Sequence, residues 1–156
     1  MLNKALTRHP ALIPLSKEHH YSLLLCWKIR RGLELGIDPK RIKDYLVRSW
    51  EKQLSYHFYI EENYVFTIIS QDDKLIKKAL LDHKTIKKLI LSGPCTIKAL
   101  NRIEEKLEAH IRMEERKLFP IIQQIATPEQ MNFIKLKHDQ PIDELPWEDE
   151  FWVRKS

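Results

Sequence analysis

Three glycines in 156 residues leave this chain few places to turn sharply. Glycine is the residue that adopts left-handed backbone at no steric cost, so tight turns and phosphate-cradling loops draw on it. No GxGxxG or GxxxxGK[ST] occurs, which argues against the common nucleotide folds. Alternating apolar and polar residues, the mark of a half-buried strand, are also missing. Punctuation falls instead at wide intervals. Gly36-Ile37-Asp38-Pro39 reads as a helix stop followed by an N-cap and an N1 proline. Ser70 with Asp73 has nearly the form of a capping box. Ser92-Gly93-Pro94 cannot continue a helix. Thr127, Pro128 and Gln130 supply an N-cap, an N1 proline and an N3 glutamine.

Four long segments lie between these breaks, at 15–36, 39–70, 72–92 and 95–126. Their apolar residues recur at steps of three and four. Short connections favour antiparallel neighbours, so the expected fold is all-α: an up-down-up-down four-helix bundle over 12–126. A short helix at 128–138 and an irregular tail from Pro141 to Ser156 follow, and the tail's aromatics should dock on the bundle. The length fits a single domain, 1–156, with 127–156 as its C-terminal extension.

Two cysteines, Cys26 and Cys95, cannot frame a disulfide scaffold, and free thiols suit a reducing cytosol. Cys26 reads as a small core residue. The apolar run Leu23–Trp27 is far short of a membrane span, and Ala11–Leu15 is too short for a signal sequence. A cytoplasmic protein is expected. The net charge of +5 owes much to Lys74, Lys77, Lys78, Lys84, Lys87 and Lys88. These read as the solvent face of the third helix, partly offset by Asp72, Asp73 and Asp82, rather than as a nucleic-acid surface.

Polar residues interrupt the apolar stripes in a pattern. His57 and Glu61 lie four apart on one face of the second helix, and His110 and Glu114 repeat that spacing on the fourth. His83 sits among Leu80, Ile86 and Ile90, and His19 shares a face with Leu15 and Leu23. A lone histidine on such a face is ordinarily a core residue with one hydrogen bond, but a buried unpaired carboxylate is costly. Counted from turn centres at 37, 71 and 94, His19 matches His57 within about 3 Å, and His57–Glu61 match His83 within one turn. His83 against His110 and Glu114 is worse by about 8 to 13 Å, which a non-helical stretch after Gly93-Pro94 would have to absorb. Four imidazoles and two carboxylates in one layer suit a pair of first-row metal ions, iron ahead of manganese or zinc.

At these residues the chain resembles the hemerythrin-like, or HHE cation-binding, family. The likeness rests on Leu15-Ser16-Lys17-Glu18-His19-His20, His57–Glu62, Leu81-Asp82-His83 and His110–Glu115 leading to Leu118-Phe119-Pro120. It implies a non-haem di-iron centre bridged by the two glutamates and an oxo or hydroxo group. Carried over, His19, His57, His83 and His110 are terminal ligands and Glu61 and Glu114 are bridges. His20 is the rival to His19. Glu62 and Glu115 point about 100° away, toward the surface or behind the ligands. Leu23, Phe58 and Phe119 would wall the centre from water.

Oxygen-carrying hemerythrins have a further histidine one turn after that of the third helix, where this chain has Lys87. That departure suggests an open metal position, which His138 would fill only if the tail folded back; His9 reads as a solvated terminal residue. The expected function is binding or sensing of a diatomic ligand, oxygen or nitric oxide. The alternative is iron–sulfur cluster repair under nitrosative stress. Relatives of that type usually carry an extra N-terminal segment with cysteines, whereas 14 residues precede the first helix here. Tyr56, Tyr59, Tyr64 and Trp27 read as packing groups.

Overall fold

A computed structural model describes residues 7–155. Every regular element among them is helical. A 3₁₀ turn at Pro10–Leu12 leads into α1, Ile13–Glu34. The second helix, α2, runs without a break through 39–68: an α-helix at Pro39–Ser49, a π turn at Trp50–Leu54, α-helix at Ser55–Ile60, a π turn at Glu61–Val65 and a 3₁₀ turn at Phe66–Ile68. Helix α3 spans Lys74–Ser92. Helix α4 covers 97–125, with a π turn at Glu114–Leu118 between Ile97–Met113 and Phe119–Ile125. Helix α5 is Pro128–Lys137.

Local chemistry accounts for most boundaries. Helix α1 ends in a Schellman motif: Ile37 N–H donates to Gly32 O at 3.0 Å and Gly36 N–H to Leu33 O at 3.1 Å. Gly36 sits at φ +69° with nothing near its missing Cβ. Gly36→Ala therefore tests backbone conformation alone. It should cost about 1–2 kcal/mol in urea unfolding, and an unchanged midpoint would contradict the assignment. Asp38 caps α2 by accepting from Lys40 N–H. Thr127 and Gln130 form a complete capping box on α5. The expected box at Ser70 is not made. Asp73 is itself the N-cap, accepting from Leu75 and Ile76 N–H, because residues 69–72 have left the helix. The fourth helix starts at Ile97, capped by Thr96, two residues later than its spacing suggested.

Helices α1 and α4 pack together, as do α3 and α4, α1 and α2, and α2 and α3. Their buried faces form two apolar clusters. Leu25, Cys26, Ile29, Leu46, Ile86, Ile90, Ile103 and Leu107 belong to one, and Leu12, Leu15, Val65, Ile76, Leu118 and Ile122 to the other. The polar layer lies between them, since each helix crosses from one cluster to the other at its histidine. The tail docks as expected. Phe151 is 1% exposed and packs where Gly32 leaves room, and Tyr45 meets the rings of Trp147, Phe151 and Trp152. The six lysines of α3 are all exposed. Among the described residues no helix is long and apolar enough to cross a membrane.

Candidate metal centre

His19, His57, Glu61, His83, His110 and Glu114 are each 3% exposed or less. They form two groups that share both glutamates: His19, His57, Glu61, Glu114 and Glu61, His83, His110, Glu114. In each group one donor atom per residue lies within 4.8 Å of all the others. Glu61 Oε1 stands 3.2 Å from His57 Nε2 and 3.3 Å from His83 Nε2. Glu114 Oε2 is 3.0 Å from His19 Nε2, and its Oε1 is 2.5 Å from His110 Nε2. Each carboxylate thus faces both halves. His20, by contrast, is exposed beside Tyr21.

The α3–α4 offset closes because Gly93 and Thr96 are extended and residues 93–96 add length without helical turns. The two π turns at Glu61 and Glu114 were not legible in the apolar periodicity. Pro120 is the one local sign, since it has no N–H to donate into the preceding turn. Such turns widen a helix by one residue and recur at functional sites.

Behind the layer runs a ring of four more carboxylates. Each histidine Nδ1–H donates to one: His57 to Glu18 at 2.7 Å, His83 to Glu62 at 3.0 Å, His110 to Asp82 at 3.0 Å and His19 to Glu115 at 3.0 Å. The ring is cyclic. A carboxylate on α1 holds the histidine of α2, one on α2 holds α3, one on α3 holds α4, and one on α4 holds α1. These bonds place the proton on Nδ1 and leave Nε2 as a lone pair aimed inward. Glu62 and Glu115 stand behind the histidines, one of the two places expected. Asp82 offsets Lys78 as expected, at 2.9 Å, but it is buried and also holds His110. Glu18 was missed, although it precedes His19 as Asp82 precedes His83. His138 does not reach the layer. The tail folds back, but its imidazole donates to Glu18 at 2.8 Å. His9 is exposed, and its Nδ1 accepts from Ala11 N–H.

The walls are aromatic. Phe58 lies flat on His83 at 3.7 Å, and Phe119 stacks on His19 at 5.3 Å. Phe66 approaches His83 at 5.4 Å and belongs to the wall, whereas Leu23 is only half-buried against the apolar cluster.

The donor set fits a pair of cations. Nε2 of His19 and His57 and all four oxygens of Glu61 and Glu114 are buried without a hydrogen-bond partner. His83 and His110 turn their Nε2 atoms toward one another at 3.0 Å. With both Nδ1 protons already placed, these are two lone pairs in contact unless something positive lies between. An ion with ligands about 2.1 Å away spaces neighbouring donors about 3 Å apart, as found here.

Protons serve the same purpose in the metal-free protein. Burial pushes the His57 imidazole down, but Glu61 and Glu18 overturn that and lift it to about 9. Burial opposes the charged forms of His19 and His83 too, yet the facing glutamates hold both well above the ordinary range, and His110 is raised likewise. Metal binding at these imidazoles therefore displaces protons. The affinity of the half that contains His57 should then rise with pH up to about 9, and that of the other half should rise in the same direction. Titrations at pH 6 and pH 8 check this, and a pH-independent affinity would contradict it. The raised folded values also fix a sign for stability. In the metal-free protein the His57 contribution is complete below the unfolded value of about 6.5 and is lost as pH rises through about 9. Glu18 runs the other way. Burial raises its carboxyl, but His138 and His57 bring it to about 2, so its contribution is lost as pH falls through that value.

Comparison with known proteins meets this geometry. The model of the hemerythrin HHE cation-binding domain matches residues 14–122, most of the chain. The chain belongs to that family, and its buried histidine and glutamate groups are able to hold metal. Neither a search of curated proteins nor one of solved structures finds a match.

Proposed function

We propose that this protein is a non-haem di-iron protein that binds or senses a diatomic ligand, oxygen or nitric oxide. His19 and His57 would hold one ion, His83 and His110 the other, and Glu61 and Glu114 would bridge them. The observation that carries this reading is the set of buried, partnerless donor atoms in two groups that share both carboxylates. Imidazole with carboxylate and no thiolate suits iron before manganese or zinc. Ferrous iron held there would supply electrons and open positions for a diatomic ligand. Each group offers four protein donors, and a six-coordinate ion would have room beyond them.

The chain's own residues do the rest. The outer carboxylates fix each imidazole's tautomer and direction. Phe58, Phe66 and Phe119 exclude water and leave an apolar approach. Lys87 is exposed, so no imidazole replaces solvent or ligand one turn beyond His83. In keeping with this reading, 1–156 acts as one unit on an up-down-up-down bundle in a reducing cytoplasm. The short connections and the free thiols of Cys26 and Cys95 support that.

The test is anaerobic loading with ferrous iron, then exposure to oxygen or nitric oxide. The expected result is a charge-transfer absorption that appears with oxygen and a nitrosyl spectrum with nitric oxide. An iron-loaded protein silent to both gases would overturn the ligand assignment.

A further inference from the structure

Two of the four outer carboxylates are served from within the bundle or its first residues, and a third meets solvent. Asp82 is met by Lys78 and Lys106, Glu115 by Ser16 and Arg8, and Glu62 reaches solvent. Glu18 differs. It is 6% exposed, and its second oxygen takes two hydrogen bonds from beyond the bundle. His138 Nε2–H donates to Glu18 Oε2 at 2.8 Å, and Ile142 N–H donates to the same oxygen at 2.7 Å. The other oxygen holds His57. Both donors lie outside the region matched by the family model, which ends at residue 122.

The segment that carries them is pinned along its length. The Tyr56 ring lies 5.5 Å from that of His138. Gln53 Nε2–H donates to Asp143 O at 2.9 Å, and Arg41 holds Asp149 with two hydrogen bonds. Lys28, 5% exposed, pairs with Glu144 and lies 4.0 Å over the Trp152 ring. None of these contacts touches the His83–His110 half.

We propose that His138 and the Ile142 amide are positioning groups for the His19–His57 half of the centre, and that the C-terminal segment is a strap whose seating sets how tightly that half holds its ion. The path is short: the strap fixes Glu18, Glu18 fixes His57, and His57 presents Nε2. Outer partners of this kind carry about 10–100-fold in metal affinity. Linkage is reciprocal, so whatever factor the strap adds to metal binding, the metal returns to the seating of the strap. Occupancy of the buried centre would thereby be readable on the aromatic surface segment. This rests on the metal-centre reading above.

The test is an anaerobic titration of the full chain with ferrous iron, comparing wild type, His138→Leu and His138→Gln. Glutamine keeps an N–H donor. The expected result is about tenfold weaker binding of one ion in His138→Leu, the other within about twofold, and recovery in His138→Gln. Equal weakening of both ions, or of neither, would overturn the strap while leaving a two-ion wild type intact. A wild type that takes up no iron overturns the metal-centre reading and the strap with it. Should His138→Leu fail to fold, hydrogen exchange on the wild type decides. Metal loading should slow exchange of the Ile142 amide several-fold, and an unchanged rate contradicts the proposal.

Discussion

Glu114→Gln should abolish tight binding of both metal ions at once. The carboxylate faces His110 with one oxygen and His19 with the other, so it belongs to both halves. An amide offers one acceptor, no charge, and an N–H that would point at a lone pair. The loss should exceed the roughly 100-fold that an outer partner carries, and it should appear in both affinities. The metal-free variant should suffer as well. Burial raises the Glu114 carboxyl, but His110 and the other groups around it hold it well below the ordinary range, so it is one of two buried anions, with Glu61, that face the imidazoles. Removing one partner of such a buried set costs about 3–5 kcal/mol. Glu115→Gln is the control. Of the four histidines it touches His19 alone, so one ion should weaken and the other should not. Calorimetric titration of both variants checks this, and a Glu114→Gln protein that loses only one ion would contradict a shared carboxylate.

Phe119→Ala should cost about 3–5 kcal/mol, the usual range for emptying a buried phenylalanine site. For a chain of this size that lowers the melting midpoint by roughly 10 °C. The ring is fully buried, stacks on His19, and lies under the Arg8 guanidinium at 5.4 Å. Its loss therefore also frees the imidazole that Glu115 and Phe119 hold between them. Thermal unfolding with and without iron separates the two effects. A drop below about 1 kcal/mol would mean that the wall is not built as described.

Helix limits were legible wherever a residue acts on its own neighbours. Asp38, Pro39, Thr127 and Gly36 each make a local bond or fix a local angle, so their sequence positions are their structural roles. The six central residues were legible for a related reason. A glutamate on an otherwise apolar face is costly to bury unpaired, and each of the two has a histidine four residues before it. What escaped depends on neighbours that sequence spacing does not show. Glu18 and Asp82 sit about 100° from the adjacent histidine, which looks like a turn toward solvent until the next helix occupies that space. Lys28 is buried because the tail covers it with Glu144 and Trp152, which spacing within α1 does not show. His138 could be placed near the centre only by knowing that the tail folds back, and even then its partner is the carboxylate behind the centre. The π turns escaped because an apolar stripe tolerates one extra residue without breaking.

The six buried donors are proposed to form two cation sites. Elemental mass spectrometry of the full chain, purified, loaded with ferrous iron at neutral pH and freed of loose metal, tests it most directly. Two ions per chain are expected in the wild type, and loss of both in Glu114→Gln. A wild-type chain that retains no metal under those conditions would contradict it.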